Sequence, residues 1–205
     1  MKLLSFNEHV NINQSQSLMV VDVQKSFKKF YSAAYLQAVM DLCKKYPNIY
    51  QIWDNHIDKD DDKDYLYHEN PEVPIHNDLH TFPNQKLLIE KRYHYDVNVD
   101  FFKKVLDKET FQIMKDKESR QALKKGDKFK TKNGTYIVFV GNKHRWFHVP
   151  KKLFKVFQMN QGKSIDIIGG SDSECLEDII TSGISLGVNM KRIWKYIYSA
   201  THCPI

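Results

Sequence analysis

Three residues with reactive side chains, Asp22, Lys91 and Cys175, stand at or just beyond the ends of short apolar runs. Attack by a thiol on a carbonyl or an enol ether needs a thiolate, a group that carries its proton, and donors that stabilise an oxyanion. A cysteine, an aspartate and a lysine together can supply the sulfur, the proton transfer and a positive charge. The three residues are therefore candidates for nucleophilic catalysis, provided that the fold brings them together.

Each of the three residues has a predicted role. Near the first turn of a helix, the Cys175 thiol would have its pKa lowered by the helix dipole and by a nearby lysine. Asp22 could accept the thiol proton and return it to the leaving group, while Lys91 keeps that carboxylate ionised. Each residue alone also has a simpler interpretation, because many cysteines on apolar helices are merely buried and many strand-end aspartates cap a helix.

The elements that would position these side chains alternate between strands and helices. Short apolar strands are predicted at residues 18–23, 49–53, 86–90, 164–169 and 192–199. Amphipathic helices are predicted at residues 32–45, 97–106 and 172–186. The alternation predicts an α/β fold of three layers with a mainly parallel sheet. Ligands of such sheets bind at the carboxyl ends of the strands, which is where the three candidate residues lie.

The segment 109–161 departs from this alternation and is predicted to be a small, basic, β-rich insertion. It would interrupt a domain made of residues 1–108 and 162–205. Residues 128–140 predict a β-hairpin with a type I′ turn at Asn133-Gly134, and a further apolar-aromatic run follows at 145–149. Between residues 120 and 163 there are twelve Lys or Arg and one acid, so this stretch carries +11 in a chain whose total is +6.

Aromatic residues are interleaved with the basic residues of 120–163. They are Phe129, Tyr136, Phe139, Trp146, Phe147, Phe154 and Phe157. Basic side chains follow phosphates and aromatic rings stack on bases, so nucleic acid is a candidate partner, as is an acidic protein. The alternative is that the aromatic residues form a small core of their own and the lysines its solvated face. The segment could also cover the active site as a lid.

The composition favours a globular protein. A chain of 205 residues with 41% hydrophobic and 13% aromatic residues fits one domain, or one domain with an insertion. No stretch reaches the roughly 18 apolar residues that span a bilayer, and the first residues do not resemble a signal peptide. We therefore expect a cytoplasmic protein without membrane contact. Three cysteines without a CxxC pair argue against a disulfide framework and leave room for one reactive thiol.

Three segments resemble the isochorismatase-like cysteine hydrolases, a superfamily that includes nicotinamidases. Residues 20–27 (VVDVQKSF) resemble its Asp-x-Gln-x-x-Phe motif, whose catalytic acid matches Asp22. Residues 89–102 (IEKRYHYDVNVDFF) resemble the segment with the catalytic lysine, at Lys91. Residues 166–187 (DIIGGSDSECLEDIITSGISLG) resemble the strand, turn and helix that carry the nucleophile, at Cys175. The resemblance covers about residues 1–108 and 162–205.

The resemblance implies an isochorismatase-like fold and further site residues. Gln24 and Phe27 would be substrate-binding companions of the catalytic aspartate. In the family, the residue four before the nucleophile follows a cis peptide, and its amide joins that of the nucleophile in an oxyanion hole; here these are the amides of Ser171 and Cys175. Relatives commonly form dimers or tetramers, so a homo-oligomer is expected.

Two acids depart from the family pattern. Asp172 and Glu174 stand beside the nucleophile, and they would raise the pKa of its thiol if they faced it.

A metal site is also implied. Nicotinamidases bind a divalent metal through an Asp-x-His sequence and a later histidine, and Asp54, His56 and His76 match these positions. One carboxylate and two imidazoles suit zinc, iron or manganese. The metal would not be obligatory, since relatives without metal retain similar residues that only form hydrogen bonds in a loop. His68 and His94 lie near enough in sequence to be alternative ligands.

The resemblance thus implies an enzyme that hydrolyses a small amide, carbamoyl or vinyl-ether compound through a thioester-type intermediate on Cys175, with nicotinamidase-like amide hydrolysis favoured by the three metal-site positions. The alternative is a protein of the same fold with altered or lost catalysis, which binds nucleic acid or a protein partner through its basic insertion.

Overall fold

The computed structural model describes residues 15–54, 79–91, 99–141 and 146–199. The strands are β1 (Ser17–Val21), β2 (Asn48–Asp54), β3 (Gln85–Lys91), β4 (Lys128–Lys130), β5 (Tyr136–Phe139), β6 (Trp146–Val149), β7 (Ser164–Gly169) and β8 (Asn189–Ile197). The α-helices are α1 (Ala33–Cys43), α2 (Val99–Val105), α3 (Lys108–Lys115), α4 (Lys117–Gln121), α5 (Lys151–Met159) and α6 (Glu177–Ser185). Among these residues, no helix is both long and apolar enough to cross a bilayer.

The main sheet contains five strands in the order β3-β2-β1-β7-β8, and every neighbouring pair is parallel. The predicted α/β class with a mainly parallel sheet is therefore confirmed. The chain leaves β1 towards β2 on one side of the sheet, but it leaves β7 towards β8 on the other side. The carboxyl ends of β1 and β7 thus flank the point where the strand order reverses, which is where open α/β sheets bind their ligands.

Both faces of this sheet are buried, because successive side chains of a strand point to opposite faces. Leu18 and Val20 of β1 pack in one core with residues of α1, whereas Met19 and Val21 pack in a second core with residues of α5 and α6. All five residues of β1 are buried, as expected for a central parallel strand covered by helices.

Helix α1 illustrates how the local sequence builds one of these layers. The Ser32 side chain accepts a hydrogen bond of 3.0 Å from the Tyr35 N–H and so caps the helix. Tyr35, Val39 and Leu42 are buried at the three- and four-residue spacing of one helical face. The helix ends before Pro47, which precedes β2.

Strands β4, β5 and β6 form a second, antiparallel sheet. The predicted hairpin over residues 128–140 is confirmed, but its predicted type I′ turn is wrong. A type I′ turn needs positive φ at both central residues, and in this turn only Gly134 has one, φ 82°. The Gly134 N–H donates to the Thr131 carbonyl at 2.9 Å. The Asn133 side chain accepts hydrogen bonds from Thr135, which holds Asn133 out of the left-handed region.

The segment predicted to be a β-rich insertion also contains the helices α3, α4 and α5. Helix α4 (KESRQ) was not predictable because it contains no apolar residue and so no hydrophobic period. Helix α5 does bury Leu153, Val156 and Phe157 at helical spacing, and that signal was overlooked. Val138, Phe147 and Leu153 from this segment lie in the same core as Met19 and Ile167 of the main sheet. The small sheet therefore packs against the main sheet through a shared core.

Candidate active site

The three candidate catalytic residues lie at the carboxyl edge of the main sheet. Asp22 directly follows β1 and has a positive φ of 54°. Lys91 is the last residue of β3, and its Cα is the register partner of Asp54 at the end of β2. Cys175 lies in a π-helical turn, Asp172–Leu176, between β7 and α6.

Lys91 reaches across the edge of the sheet to two carboxylates. Its Nζ lies 2.7 Å from Asp22 Oδ2 and 3.2 Å from Asp54 Oδ2. The three side chains are at most 3% exposed. A buried charge is costly unless it is paired, so the ammonium and the carboxylates stabilise one another in the ionised state. Asp54 was predicted to be a metal ligand, and its contact with Lys91 was not predicted.

The nucleophile candidate joins this cluster. The Cys175 side chain is close enough to the Asp22 carboxylate to lower the pKa of that carboxyl group, and the sulfur is close enough to Lys91 for an electrostatic interaction between them. Cys175 is only partly buried, whereas Cys43 is fully buried in a core. The fold therefore brings Asp22, Lys91 and Cys175 together, and their catalytic roles stay predictions.

Burial and charge set the protonation behaviour of the cluster. Burial, supported by the neighbouring Asp54 carboxylate, raises the pKa of Asp22 to about 7, although Lys91 and the Cys175 thiol act in the opposite direction. Burial alone would lower the pKa of Lys91, but the carboxylates of Asp22 and Asp54 outweigh it and raise that pKa above its ordinary value. Lys91 is thus a fixed positive charge at neutral pH, while Asp22 can gain and lose a proton.

Two glycines allow the nucleophile turn to approach β1 closely. Gly169 has φ 105°, and a Cβ on it would lie 1.9 Å from the Val21 carbonyl oxygen. The Gly170 N–H donates to the same oxygen at 3.1 Å. The Gly170-Ser171 peptide is cis, as the resemblance implies. The Leu176 N–H donates to the Ser171 carbonyl at 3.1 Å and closes the wide turn around Cys175. The oxyanion hole of the Ser171 and Cys175 amides stays a prediction.

Tyr198 is a site residue that sequence reasoning missed. Its hydroxyl donates to the Asp22 carbonyl at 2.7 Å, and its N–H donates to the Gly169 carbonyl at 2.9 Å. Its ring fills the space in front of Gly170, where a Cβ would lie 2.4 Å from a ring carbon. Burial raises the pKa of Tyr198 well above its ordinary value, so the hydroxyl stays a donor. No motif marks Tyr198, because the residues that it contacts are distant from it in sequence.

Gln24 and Phe27 were predicted to contact the substrate. The Gln24 side-chain amide donates to the Asp54 carbonyl at 2.8 Å and accepts from the Asp54 N–H at 2.9 Å. These bonds make Gln24 a positioning residue for Asp54. Phe27 is partly buried, its N–H donates to the Gln24 carbonyl at 3.0 Å, and its ring lies 6.1 Å from that of Phe30. Substrate contacts of both residues stay predictions.

Of the three proposed metal ligands, only Asp54 is among the described residues. His56 and His76 lie outside the described residues, and Asp54 contacts the Lys91 ammonium through Oδ2. A divalent cation at that oxygen would be repelled by the ammonium. Within the described ranges, no three His, Cys, Asp or Glu side chains are grouped as metal ligands would be. Because two of the three proposed ligands are not described, the metal site at Asp54, His56 and His76 stays a prediction.

Basic residues form ion pairs with two of the acids beside the nucleophile and so offset part of their negative charge. Asp172 Oδ1 lies 3.4 Å from Arg192 Nε, and Glu177 forms ion pairs with Arg192 and Lys125. Burial would raise the pKa of Glu177, but these two bases lower it below its ordinary value. Glu174 has an exposed side chain.

The basic segment shows which of its residues face solvent. Phe139, Trp146, Phe147 and Phe157 are buried, and Phe129, Tyr136 and Phe154 pack against the cores. The aromatic residues are therefore packed in cores, but only Phe129, Phe139 and Trp146 lie in a separate small core. The other four belong to the core shared with the main sheet, so the prediction of a core of the segment's own is only partly right. Nine lysines between 120 and 163 are exposed: Lys124, Lys125, Lys128, Lys130, Lys132, Lys151, Lys152, Lys155 and Lys163.

A cavity of about 640 Å³ lies at the opposite edge of the sheet. It is lined by Ser17, Asn48 and Ser164, which begin β1, β2 and β7, and by Asn160. Because it is at the amino ends of the strands, it is remote from Asp22 and Cys175 and is not the candidate active site.

Comparisons of the chain with protein-family models, with curated proteins and with solved structures found no match.

Proposed function

We propose that this protein is a cysteine hydrolase of the isochorismatase-like type, which hydrolyses a small amide, carbamoyl or vinyl-ether compound. The observation that supports the proposal most strongly is the buried contact of Lys91 with Asp22, at 2.7 Å, together with the interaction of the Cys175 side chain with both residues. A partly exposed thiol next to a buried carboxylate and a fixed ammonium has the parts that an activated nucleophile requires.

For an amide substrate, the reaction begins with proton transfer from the Cys175 thiol to Asp22. The sulfur attacks the carbonyl carbon, and the Ser171 and Cys175 amides donate hydrogen bonds to the oxyanion that forms. As the carbon–nitrogen bond breaks, Asp22 returns the proton to the nitrogen, so that ammonia leaves and a thioester remains on Cys175. The positive charge of Lys91 stabilises the anionic sulfur and the Asp22 carboxylate throughout.

Water then completes the cycle. Asp22 takes a proton from a water molecule, and the resulting hydroxide attacks the thioester carbonyl. The carbon–sulfur bond breaks, the carboxylic acid leaves, and the sulfur recovers its proton from Asp22. A carboxyl group with a pKa of about 7 suits both directions of this transfer, because it is neither too weak a base nor too weak an acid at neutral pH.

Ammonia release from a panel of small amides, including nicotinamide, tests this proposal. Wild-type protein should release ammonia from at least one amide, and Cys175→Ala should abolish the release. Cys43→Ala is the matched control, since Cys43 is buried in the core next to α1 and should not affect the chemistry. Parallel panels of carbamoyl and vinyl-ether compounds separate the three substrate classes. Silence of the wild-type protein on all three panels, with the protein folded, contradicts the proposal.

The nine exposed lysines between 120 and 163 favour a second candidate function, the binding of a polyanion such as nucleic acid. Deleting the segment is not a clean test, because Phe147 and Leu153 belong to the shared core. Replacing exposed Lys128 and Lys130 by Glu instead should abolish salt-dependent retention on a duplex DNA column. Retention that is absent in wild-type protein, or unchanged in the variant, argues against this function.

A further inference from the structure

One guanidinium contacts the two acids that flank the candidate nucleophile. Arg192 Nε lies 3.4 Å from Asp172 Oδ1, and Arg192 Nη2 forms an ion pair with Glu177 Oε2. Asp172 precedes Cys175 by three residues and Glu177 follows it by two. Arg192 belongs to β8, at the edge of the sheet. It lies outside the three motifs that carry the family resemblance.

The electrostatic consequence for the sulfur follows from the signs of these charges. Asp172 and Glu177 lie within three residues of Cys175 along the chain, so their negative charges disfavour the Cys175 thiolate, and a cation that pairs with both acids reduces this effect. Arginine keeps its charge at every relevant pH and can contact two carboxylates with its planar fork. Lys125 also pairs with Glu177, but its side chain is 54% exposed, so water screens its effect. Arg192 is only 24% exposed and is the better placed of the two bases.

The shape of β8 places Arg192 at this position. In the pairing of β7 with β8, Ile167 is opposite Arg192 and Gly169 is opposite Ile197, so the strand bulges between these two points. Bulges redirect side chains at the edge of a sheet. The Arg192 guanidinium also lies 5.3 Å from the centroid of the Trp194 ring, within the bulge, which helps to fix its orientation.

We propose that Arg192 is a positioning residue for the nucleophile: it compensates Asp172 and Glu177 and holds the turn between β7 and α6, so that the Cys175 thiol stays reactive. The proposal rests on the proposed function only in taking Cys175 as the nucleophile, and it can be tested without any substrate.

Other charged and titratable groups also surround the sulfur, and the test keeps them constant. They are Asp22 after β1, Lys91 of β3 with its partner Asp54, and Tyr198 after β8. Glu174 in the turn and Asp178 in α6 are further acids close to Cys175 along the chain. Since none of them is changed in the variants below, a difference between variants reports the contribution of Arg192 and its two acids.

The test is the rate of alkylation of Cys175 by iodoacetamide as a function of pH, measured by mass spectrometry of the peptide. In Arg192→Gln, the midpoint of the rate profile should rise by about one pH unit, and labelling at pH 7 should slow by up to about tenfold. Arg192→Lys should recover part of the shift, because it restores the charge. Lys191→Gln is the matched control, since it removes the same charge from an exposed neighbour and should leave the midpoint unchanged.

A wild-type midpoint in folded Arg192→Gln overturns the inference. If that variant does not fold, the double variant Asp172→Asn/Glu177→Gln replaces it, and its midpoint should fall below that of the wild type because the positive charge is then uncompensated. An unshifted midpoint there also overturns the inference. Shifted midpoints without turnover of any substrate would contradict the proposed function alone, whereas Cys175-dependent turnover with unshifted midpoints would contradict this inference alone.

Discussion

Lys91 Nζ lies 2.7 Å from Asp22 Oδ2 in a site where neither side chain is more than 1% exposed. The two residues come from strands that are not neighbours, since β2 lies between β1 and β3. A lysine side chain is long enough to cross this distance, and it also contacts Asp54 at the end of the intervening strand. The pair therefore ties together three strand ends at the edge where the Cys175 thiol lies.

Lys91→Met should destabilise the fold strongly. It leaves the carboxylates of Asp22 and Asp54 buried without their cation, and breaking a buried pair in this way costs about 3–5 kcal/mol. The free energy of unfolding in urea at pH 7 measures the loss. The loss should shrink as the pH falls from 7 towards 4, because the carboxyl groups can then be buried in the protonated, neutral form.

The triple variant Lys91→Met/Asp22→Asn/Asp54→Asn is the control for this effect, because it removes all three charges together. It should recover much of the lost stability. A single Lys91→Met variant as stable as the wild type would contradict the buried ion pair.

Asp54→Asn should move the pH dependence of the reaction. The reaction needs Asp22 ionised, so kcat/KM should rise with pH around the Asp22 pKa of about 7. The Asp54 carboxylate raises that pKa, so its removal should lower it and shift the acid limb of the profile down by about one pH unit. If the midpoint of the acid limb moves to higher pH, or does not move, Asp54 does not raise the pKa of Asp22.

The two described cysteines should differ in reactivity. Burial raises the pKa of the Cys43 thiol to about 12, and its side chain has no exposed surface. Iodoacetamide at pH 7.5 should therefore label Cys175 in the native protein and Cys43 only after denaturation, which peptide mass spectrometry can resolve. Equal labelling rates for the two thiols in the folded protein would contradict an activated Cys175.

Tyr198→Phe should weaken catalysis more than stability. The variant loses the hydrogen bond to the Asp22 carbonyl, which costs roughly 1 kcal/mol of stability, but it also releases the backbone of the proton carrier. We expect kcat to fall by about tenfold, since small misplacements of a reacting group are costly, with KM nearly unchanged. Tyr196→Phe, on the neighbouring edge strand, is the matched control. A change in KM alone would mean that Tyr198 contacts the substrate instead.

The sequence predicted the central strands β1 and β7 because buried parallel strands are short and rich in apolar residues. The runs at 164–169 and 86–90 coincide with β7 and β3 within one residue. Residues at the ends of such strands converge at one edge of the sheet, which is why Asp22 and Lys91 could be foreseen as neighbours without knowledge of side-chain positions.

Contacts between distant segments could not be predicted in the same way. The contact of Asp54 with Lys91 depends on the register of β2 with β3, and the place of Tyr198 depends on a bulge in β8. Neither register nor bulge leaves a local pattern in the sequence. The turn at Gly134 was mistaken for a similar reason, since hydrogen bonds of the Asn133 side chain selected a different loop from the one that Asn-Gly usually favours.

The most direct test of the account is the mass of Cys175 during turnover. The protein is mixed with an amide that it hydrolyses, and the reaction is quenched in acid. The peptide that contains Cys175 should then carry the acyl group of the substrate, and Cys43 should carry none. Cys175→Ala should show neither adduct nor ammonia. Ammonia release that continues in Cys175→Ala, without an acyl adduct on the wild-type peptide, would contradict the proposed nucleophile.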